Sequence, residues 1–250
     1  MSYRNSSQIA TALNEKIQLV FPRITLWMLL MESLCLKNQD ALFDHLIDRW
    51  SEIGGDALSQ RGGFKVALTG SAFVTDFYRK LSKSEWPWSA TPLFLTEENW
   101  VPRQHPHSHF QQVYQCFHPH RVTLHGWETE NIDPDISCLR HEKHLLQQLS
   151  RPPRFDLVIL TINQTNEIAG LFPTSSAWDE TKDLSAPSEN DRTRTLHLSL
   201  TPPLIRLAHH IWIIQEEMTV REDLRQVSPA VEKLCLDHAS TTLFLFEAED

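Results

Sequence analysis

The stretch FDLVILTINQTNEIAGLFP, residues 155–173, contains the clearest strand signal in the chain. Its apolar run is unbroken from Leu157 to Leu160, which predicts a central strand that is covered on both faces. A turn and the start of a helix are predicted directly after it. A ligand-binding turn in this place usually carries glycine, because glycine lets the backbone approach the ligand. Here residues 163–167 are Asn, Gln, Thr, Asn and Glu.

Strand and helix signals alternate on both sides of this stretch. Strands are predicted for FKVALTG (64–70), TPLFLTEE (91–98), RVTLHG (121–126), RTRTLHLSLTPP (192–203), HIWIIQEE (210–217) and TTLFLFEA (241–248). Helices are predicted between them, most clearly within residues 38–58, where Gly54-Gly55 is predicted to be the stop, and for residues 134–150. This alternation indicates an α/β fold, doubly wound, with a mainly parallel sheet and helices on both faces. The polar segment 174–195 is predicted to be a surface loop.

Composition and charge narrow the class of protein. The 250 residues are 41% hydrophobic and carry a net charge of −9, which argues against a nucleic-acid partner because such a surface is basic. The early apolar run at residues 24–36 is too short to span a bilayer, so we expect no membrane partner. Four scattered cysteines fit a reducing compartment, and we expect a cytoplasmic protein. Residues 1–38 are expected to form an N-terminal extension packed on a domain of residues 39–250.

Four blocks of the sequence carry a resemblance to a known superfamily. They are LTGSAFVTDFYRKL (68–81), LFLTEENWVPRQHPHSHF (93–110), the stretch at 155–173, and RTLHLSLTPPLIRLAHHIWIIQEE (194–217). They resemble, in order, LSGGSTPxxLYxxL, FWGDERxVPxxHPxSNY, FDLVLLGMGxDGHxASLFP and RITLTxPxINxARxVxFLVTG of the 6-phosphogluconolactonase and glucosamine-6-phosphate isomerase superfamily. The GLFP sequence after the strand favours the lactonase branch.

The resemblance implies a fold, a site and an activity. In proteins of this superfamily the ligand lies at the carboxyl ends of the strands, as is general for open α/β sheets. Members of the lactonase branch hydrolyse 6-phosphogluconolactone in the pentose phosphate pathway, without a cofactor or a required metal. The phosphate rests on the glycine-serine turn at a helix N-terminus, and arginine and lysine side chains add positive charge. A histidine in the third block is the proposed general base that activates water.

Most of the residues with these tasks are different in this chain. The positions that match the family's substrate contacts, or that lie beside them, are Thr69, Gly70, Ser71, Glu97, Asn99, Asn163, Asn166, Arg206, His209 and Arg221. The family's acid-acid-arginine triplet is Glu97-Glu98-Asn99, which lacks the guanidinium that binds phosphate bidentately. The carboxyl groups of Glu97 and Glu98 are interpreted either as a catalytic pair or as solvated or helix-capping groups. Phe73 is expected to bring bulk where a phosphate would need room.

Glu167 stands at the position of the family's histidine base and is the candidate catalytic residue. A glutamate with an ordinary pKa is a weak base, so this role requires burial that raises its pKa. The alternative is an acidic residue at a helix start, where the helix dipole favours it.

A histidine-rich segment lies outside the family pattern. His105, His107, His109, Cys116, His118 and His120 fall within sixteen residues and are side chains of the type that binds zinc. Their spacing matches no standard zinc finger. We expect that this segment binds no metal, and a structural or adventitious metal site is the alternative.

These observations leave more than one class of function open. The first is a divergent lactonase-like protein with lost or strongly reduced activity and a binding or regulatory role, whose partner is a phosphorylated sugar, another small anion or a protein. The second is an active 6-phosphogluconolactonase in which Glu167 replaces the histidine base. A hydrolase with a metal on the histidine cluster is the third.

Overall fold

The centre of the fold is a parallel sheet built from the predicted apolar runs. We describe the protein from a computed structural model, which covers residues 32–117, 122–163, 167–190, 193–216, 229–235, 238 and 240–247. Within these ranges the sheet comprises β1 (Glu32–Leu36), β2 (Val66–Leu68), β3 (Leu93–Leu95), β5 (Leu124–His125), β6 (Leu157–Ile162), β9 (His210–Gln215) and β10 (Thr241–Phe246). Every pairing in it is parallel, and the strand order is β1-β10-β9-β6-β2-β3-β5.

The strand order contains a reversal beside the central strand. From β2 the chain moves outward through β3 to β5, returns to β6, and then moves outward on the other side through β9 to β10. The switch point therefore lies between β2 and β6, and ligands of open α/β sheets bind in the crevice at such a point. All six residues of β6 are buried, which agrees with the prediction of a central strand.

Six α-helices cover the sheet within the described residues, and the first of them runs past its predicted end. They are α1 (Gln39–Arg61), α2 (Thr75–Leu81), α3 (His109–Phe117), α4 (Pro134–Gln148), α5 (Pro202–Ile205) and α6 (Pro229–Cys235). The side chain of Asn38 caps α1 by accepting the amide of Ala41 at 2.9 Å. The stop predicted at Gly54-Gly55 is wrong: the helix continues through both glycines, where Gly54 packs closely on Trp86, and ends at Gly62, whose φ of 71° is in the left-handed region. Its buried face includes Leu42, Leu46 and Trp50.

A second, antiparallel sheet corrects two of the sequence predictions. It contains β4 (Glu97–Asn99), β7 (Ser185–Glu189) and β8 (Leu196–Leu200) in the order β4-β8-β7. The single strand predicted at 91–98 is wrong, because the chain leaves the main sheet at Thr96 and enters the second one. The surface loop predicted at 174–195 is also wrong in part, because it contains β7. This edge strand includes Pro187, which a strand tolerates at an edge and which weakened the strand signal.

The end of the predicted N-terminal extension belongs to the main sheet. Residues 32–36 form the edge strand β1, in parallel register with β10 from Glu32↔Thr242 to Leu36↔Phe246. Residues 1–31, which include most of the early apolar run, lie outside the described residues. In the described part of the chain, no helix combines the length and the apolarity that crossing a bilayer requires. None of the four cysteines forms a disulfide bond.

Candidate functional site

A cavity of about 230 Å³ opens at the carboxyl ends of β2, β6 and β9, where the topology predicts a ligand site. Polar side chains from both sheets line it together with two small residues of the third block. They are Thr69, Ser71, Glu97, Asn99, His109, Thr161, Asn163, Glu167, Ala169, Gly170, His197 and Glu216. Six of the predicted positions, Thr69, Ser71, Glu97, Asn99, Asn163 and Glu167, are thus brought together at one cavity.

The first turn, residues 69–71 directly after β2, has its hydrogen-bond donors bonded to a carboxylate of the protein itself. Glu97 Oε1 accepts the backbone amide of Gly70 at 2.9 Å and the hydroxyl of Thr69 at 2.7 Å. Its Oε2 accepts the hydroxyl of Thr96. Glu97 is almost completely buried, so these bonds satisfy its oxygens without bulk water. The turn predicted to hold an external anion therefore already binds an internal one.

The next residue of the turn makes the same type of contact. The hydroxyl of Ser71 donates to Glu216 Oε1, at the end of β9, and also accepts the amide of Phe73 at 3.2 Å. Ser71 is consequently occupied by a second carboxylate and by a helix-capping bond. Glu216 was not predicted as a site residue, although its place directly after a buried strand was a usable signal.

Gly70 is needed for packing against a side chain. A Cβ added at Gly70 would overlap Cβ and Cγ of His109. The imidazole of His109 is held by Asn99, whose amide group donates to His109 Nε2 at 3.1 Å and to the backbone carbonyl of His107 at 2.7 Å. Both donors of Asn99 are thus used within the protein, and one of them orients the imidazole of His109. The space that glycine provides in this turn is filled by the protein.

Glu98 serves as the cap of α3. Its two carboxyl oxygens accept the amide of His109 at 2.7 Å, the amide of Phe110 at 2.8 Å and the hydroxyl of Ser108 at 3.2 Å. Burial raises the pKa of Glu98, and the charge of His109 and these hydrogen bonds act in the opposite direction. Of the two interpretations of the carboxyl pair, capping applies to Glu98, while Glu97 faces the cavity.

Glu167 lies in the cavity beside an imidazole that the sequence did not single out. Its Oε1 is 3.5 Å from Nδ1 of His197. Burial, followed by the charges of Glu97 and Glu216, raises the pKa of Glu167 from 4.5 to about 7. Burial, and then the charge of His109, lowers the pKa of His197 to about 4. Near neutral pH the cavity therefore pairs a neutral imidazole with a carboxyl group that is partly protonated.

The second sheet explains how His197 reaches this place. It lies on β8 opposite Asn99 of β4, a pairing between segments about a hundred residues apart. Gly170, with a φ of 67°, lets the backbone of the third block approach both β4 and β8 closely. A Cβ at Gly170 would come within 2.9 Å of Glu97 Cβ and 3.0 Å of His197 Nδ1. No local signal in the sequence pointed to His197.

Several predicted site residues lie elsewhere, and we correct those assignments. His209 lies just before β9, bonded through its amide to the carbonyl of Phe155, and is therefore at the amino ends of the strands. Since β9 has six residues, about 20 Å separates it from the cavity. Arg206 lies on the same side and donates to the backbone carbonyls of Leu234 and Lys233.

Three further expectations have different outcomes. Phe73 does not line the cavity; it stacks on Phe246 at 5.6 Å between ring centroids and contacts Phe43 edge-on at 5.8 Å. Asn166 and Arg221 lie outside the described residues, so their predicted roles stay predictions.

The charge of the cavity is opposite to what a phosphate requires. Among the described residues that line it, three are glutamates and none is arginine or lysine. A phosphate entering it would approach carboxylates without a guanidinium or ammonium group from this part of the chain.

The histidine-rich segment does not form a metal site within the described residues. No three His, Cys, Asp or Glu side chains there are arranged to hold a metal ion. Cys116 donates to the carbonyls of Gln112 at 3.3 Å and Thr75 at 3.6 Å, and burial raises the pKa of its thiol. His109 belongs to the cavity, whereas His105 accepts the amide of His107. His118 and His120 lie outside the described residues.

Comparisons with known proteins agree with this architecture. A family model described as glucosamine-6-phosphate isomerases/6-phosphogluconolactonase matches residues 37–234. The chain is 24% identical over 209 residues to a 6-phosphogluconolactonase of Nostoc sp., covering 80% of this chain and 86% of that protein. It is 26% identical over 196 residues to the GDH/6PGL endoplasmic bifunctional protein of Oryctolagus cuniculus, covering 73% of this chain but 24% of the rabbit protein's length.

Solved structures share the fold at low sequence identity. A 6-phosphogluconolactonase from Shewanella baltica superposes with a TM-score of 0.76 at 16% identity, covering 87% of this chain and 98% of that one. The corresponding protein of Trypanosoma brucei gives a TM-score of 0.73 at 19% identity, covering 87% and 96%. These similarities confirm the predicted α/β fold. Since the family model matches well over half of the residues, the chain belongs to the glucosamine-6-phosphate isomerase/6-phosphogluconolactonase family, on its lactonase branch.

Proposed function

We propose that this protein is a divergent 6-phosphogluconolactonase-like protein with lost or strongly reduced lactonase activity and a binding or regulatory role. The observation that carries the proposal is the internal occupation of the first turn by Glu97 and Glu216, through Gly70, Thr69 and Ser71. An incoming phosphate must displace these bonds and overcome the repulsion of the carboxylates. Each charge-assisted bond contributes about 1.5–3 kcal/mol, so the combined penalty reaches several orders of magnitude in affinity.

The second candidate function is an active lactonase with Glu167 as its base. A pKa near 7 is favourable for a general base at neutral pH, because the basic form is populated and still accepts a proton readily. In this mechanism Glu167 takes a proton from water as the water attacks the lactone carbonyl. His197 Nδ1 lies 3.5 Å from this carboxyl group and has no hydrogen-bond partner among the described residues. The phosphate contacts must then come from residues beyond the described ranges, such as Arg221.

Hydrolysis of 6-phosphogluconolactone by the full-length chain separates the two candidates. The rate is measured by coupling release of the acid to its oxidation, beside the spontaneous rate and beside the Glu167→Gln variant. The matched control is Glu85→Gln, which removes the same group at an exposed position outside the cavity. We expect the wild-type rate to equal the spontaneous rate, with no change in either variant.

Two outcomes contradict the proposal. Turnover well above the spontaneous rate that is lost in Glu167→Gln and kept in Glu85→Gln assigns the active-lactonase function. Turnover that survives Glu167→Gln shows an active enzyme with another base. Titration with 6-phosphogluconate then tests the binding role: weak saturable binding by an inactive protein supports a remodelled ligand site, and its absence directs the search to a protein partner.

A further inference from the structure

A second cavity, of about 390 Å³, lies at the β5 edge of the main sheet. It is formed by the end of β5, the residues that follow it, α4 and the loop before α3. The side chains that give it its character are Arg103, His125, Glu128, Arg140, His141 and His144. It shares no lining residue with the carboxylate cavity described above. A cavity with two guanidinium groups is unexpected in a chain of net charge −9.

Both guanidinium groups retain free donors. Arg103 places its Cζ over the ring of Phe110, 3.9 Å from the centroid, and donates at 3.3 Å to the carbonyl of Trp127. Within the described residues, no carboxylate pairs with its side chain. Arg140 donates one bond to Glu128 at 2.7 Å, and both side chains of this pair are more than half exposed. A guanidinium group has five donor hydrogens, so each arginine can bind an anion without losing these contacts.

Three imidazoles form the floor of the cavity. His144 Nε2 and His125 Nδ1 are 2.8 Å apart and share a hydrogen bond. His141 is 3% exposed, packs on the Trp127 ring at 4.2 Å and hydrogen-bonds the backbone of Gly126. Its Nε2 is buried without a hydrogen-bond partner among the described residues. Buried polar atoms are rarely unpartnered, which indicates that a further group belongs here.

The protonation states define what that group must offer. Burial lowers the pKa of His141 to about 3 and that of His125 to about 4, and the neighbouring imidazoles add to both shifts. His141 is therefore neutral near pH 7, and with one nitrogen bonded to a carbonyl its Nε2 is an acceptor. The missing partner is a hydrogen donor, whereas the arginines require an anion.

We propose that this cavity binds a small oxyanion that carries a hydroxyl or an acid proton, of the class of hydrogen phosphate and phosphate monoesters. Planar guanidinium groups bind phosphate oxygens bidentately, so Arg103 and Arg140 hold the charge. The phosphate O–H, or a hydroxyl of the ester, donates to the imidazole floor. The two cavities thus have opposite charge, and this site does not depend on the function proposed for the first one.

Titration of the full-length chain with inorganic phosphate tests the site. Binding is followed by calorimetry and by thermal shift at constant ionic strength, with chloride in the reference. We expect saturable binding that weakens about tenfold in Arg140→Gln and again in Arg103→Gln, since each substitution removes a charge-assisted contact. The matched control is Arg79→Gln, because Arg79 is equally exposed and pairs with Asp76 at 2.6 Å on α2, away from the cavity.

Three results would overturn the proposal. The first is no saturable phosphate binding at all, and the second is binding that Arg140→Gln and Arg103→Gln leave unchanged. The third is loss of phosphate binding in Ser71→Ala with both arginine variants unaffected, which assigns the anion to the first cavity. Zinc is tested in parallel, and a shift with zinc but none with phosphate makes the imidazoles a metal site instead. Imidazole nitrogen NMR signals of His125 and His144 that move with phosphate locate the ligand as proposed.

Discussion

Glu97 is the residue that distinguishes this site from an open anion-binding turn. Its carboxylate accepts the amide of Gly70 and the hydroxyl of Thr69, while His109 covers the same glycine. The donors of the turn are satisfied before any ligand arrives. Glycine at this position therefore permits close packing of an imidazole, and its presence in the sequence does not by itself indicate a phosphate site.

Removing the charge of Glu216 should make the first cavity more tolerant of anions. Glu216→Gln keeps an oxygen for the hydroxyl of Ser71 but removes a unit charge from the cavity wall. We expect calorimetry to show roughly tenfold tighter binding of 6-phosphogluconate than in the wild type. Asp179→Asn is the control, because it changes the net charge equally at an exposed residue that pairs with Lys233. Equal affinity in the wild type and Glu216→Gln would show that this carboxylate does not repel the ligand.

Glu167 makes the stability of the protein depend on pH. Its pKa is raised in the folded state, so the folded state binds more protons than the unfolded state between pH 4.5 and about 7. The contribution of Glu167 to the unfolding free energy is therefore complete below pH 4.5 and is lost as the pH rises through 7, by up to about 3 kcal/mol.

We expect Glu167→Gln to be more stable than the wild type in urea unfolding at pH 8 and to differ little at pH 5. Glu85→Gln, exposed and outside the cavity, should track the wild type at both pH values. A Glu167→Gln variant that is destabilised equally at both pH values would contradict the raised pKa.

At the scale of elements, the start of helix α3 is capped by a residue of strand β4. Glu98 of β4 satisfies two of the first amides of the helix and the hydroxyl of Ser108, so it joins the second sheet to the helix that carries His109. Because Glu98 is 2% exposed, water does not replace these bonds when they are lost. The position of the His109 ring in the cavity follows from this cap.

Glu98→Ala should cost about 2–4 kcal/mol in the free energy of unfolding, because buried amides lose their acceptor. Asn38→Ala is the comparison, since it removes a single cap bond from the partly buried start of α1 and should cost about 1 kcal/mol. Both values come from urea unfolding followed by circular dichroism. Equal costs for the two variants would show that the cap of α3 is no stronger than the single-bond cap of α1.

At the scale of the whole molecule, the sheet places opposite charges at two separate cavities. The switch point between β2 and β6 gathers carboxylates, and the β5 edge gathers guanidinium and imidazole groups. The edge cavity also contains buried neutral imidazoles whose pKa values lie below the ordinary 6.5. The folded state resists their protonation, so acid should unfold the protein through this region.

The two imidazoles His125 and His141 should together lower the unfolding free energy as the pH decreases from 6.5 toward 4, by more than Glu167 raises it. In this range the unfolded state binds protons that folded His125 and His141 do not, and each group contributes a slope of about 1.4 kcal/mol per pH unit. His141→Phe keeps a ring on Trp127 and should remove the contribution of one proton, which reduces the slope by about 1.4 kcal/mol per pH unit. His107→Gln, at an exposed position, should leave it unchanged. An identical slope in His141→Phe and the wild type would show that His141 titrates normally.

The sequence by itself determined the class of fold and the location of the site. Unbroken apolar runs such as Leu157–Leu160 require a two-faced parallel sheet, and short motifs at the strand ends identify the family and the turns around the cavity. These features are local, because each depends on the residues of one strand and the turn that follows it. The end of α1 was not readable in this way, because Gly54-Gly55 predicted a stop and the helix continues to Arg61.

Only the tertiary structure decided which groups face each other. His197 reaches the cavity through the pairing of β8 with β4. Glu97 meets Gly70 because the chain leaves the main sheet at the end of β3, the neighbour of β2. Arg206 and His209 come just before β9 in the sequence and therefore lie at its amino end. The full length of the strand separates them from the cavity, which lies at its carboxyl end. Partners across strands and the end of a strand on which a residue lies are long-range properties of the sheet, and no local pattern of residues encodes them.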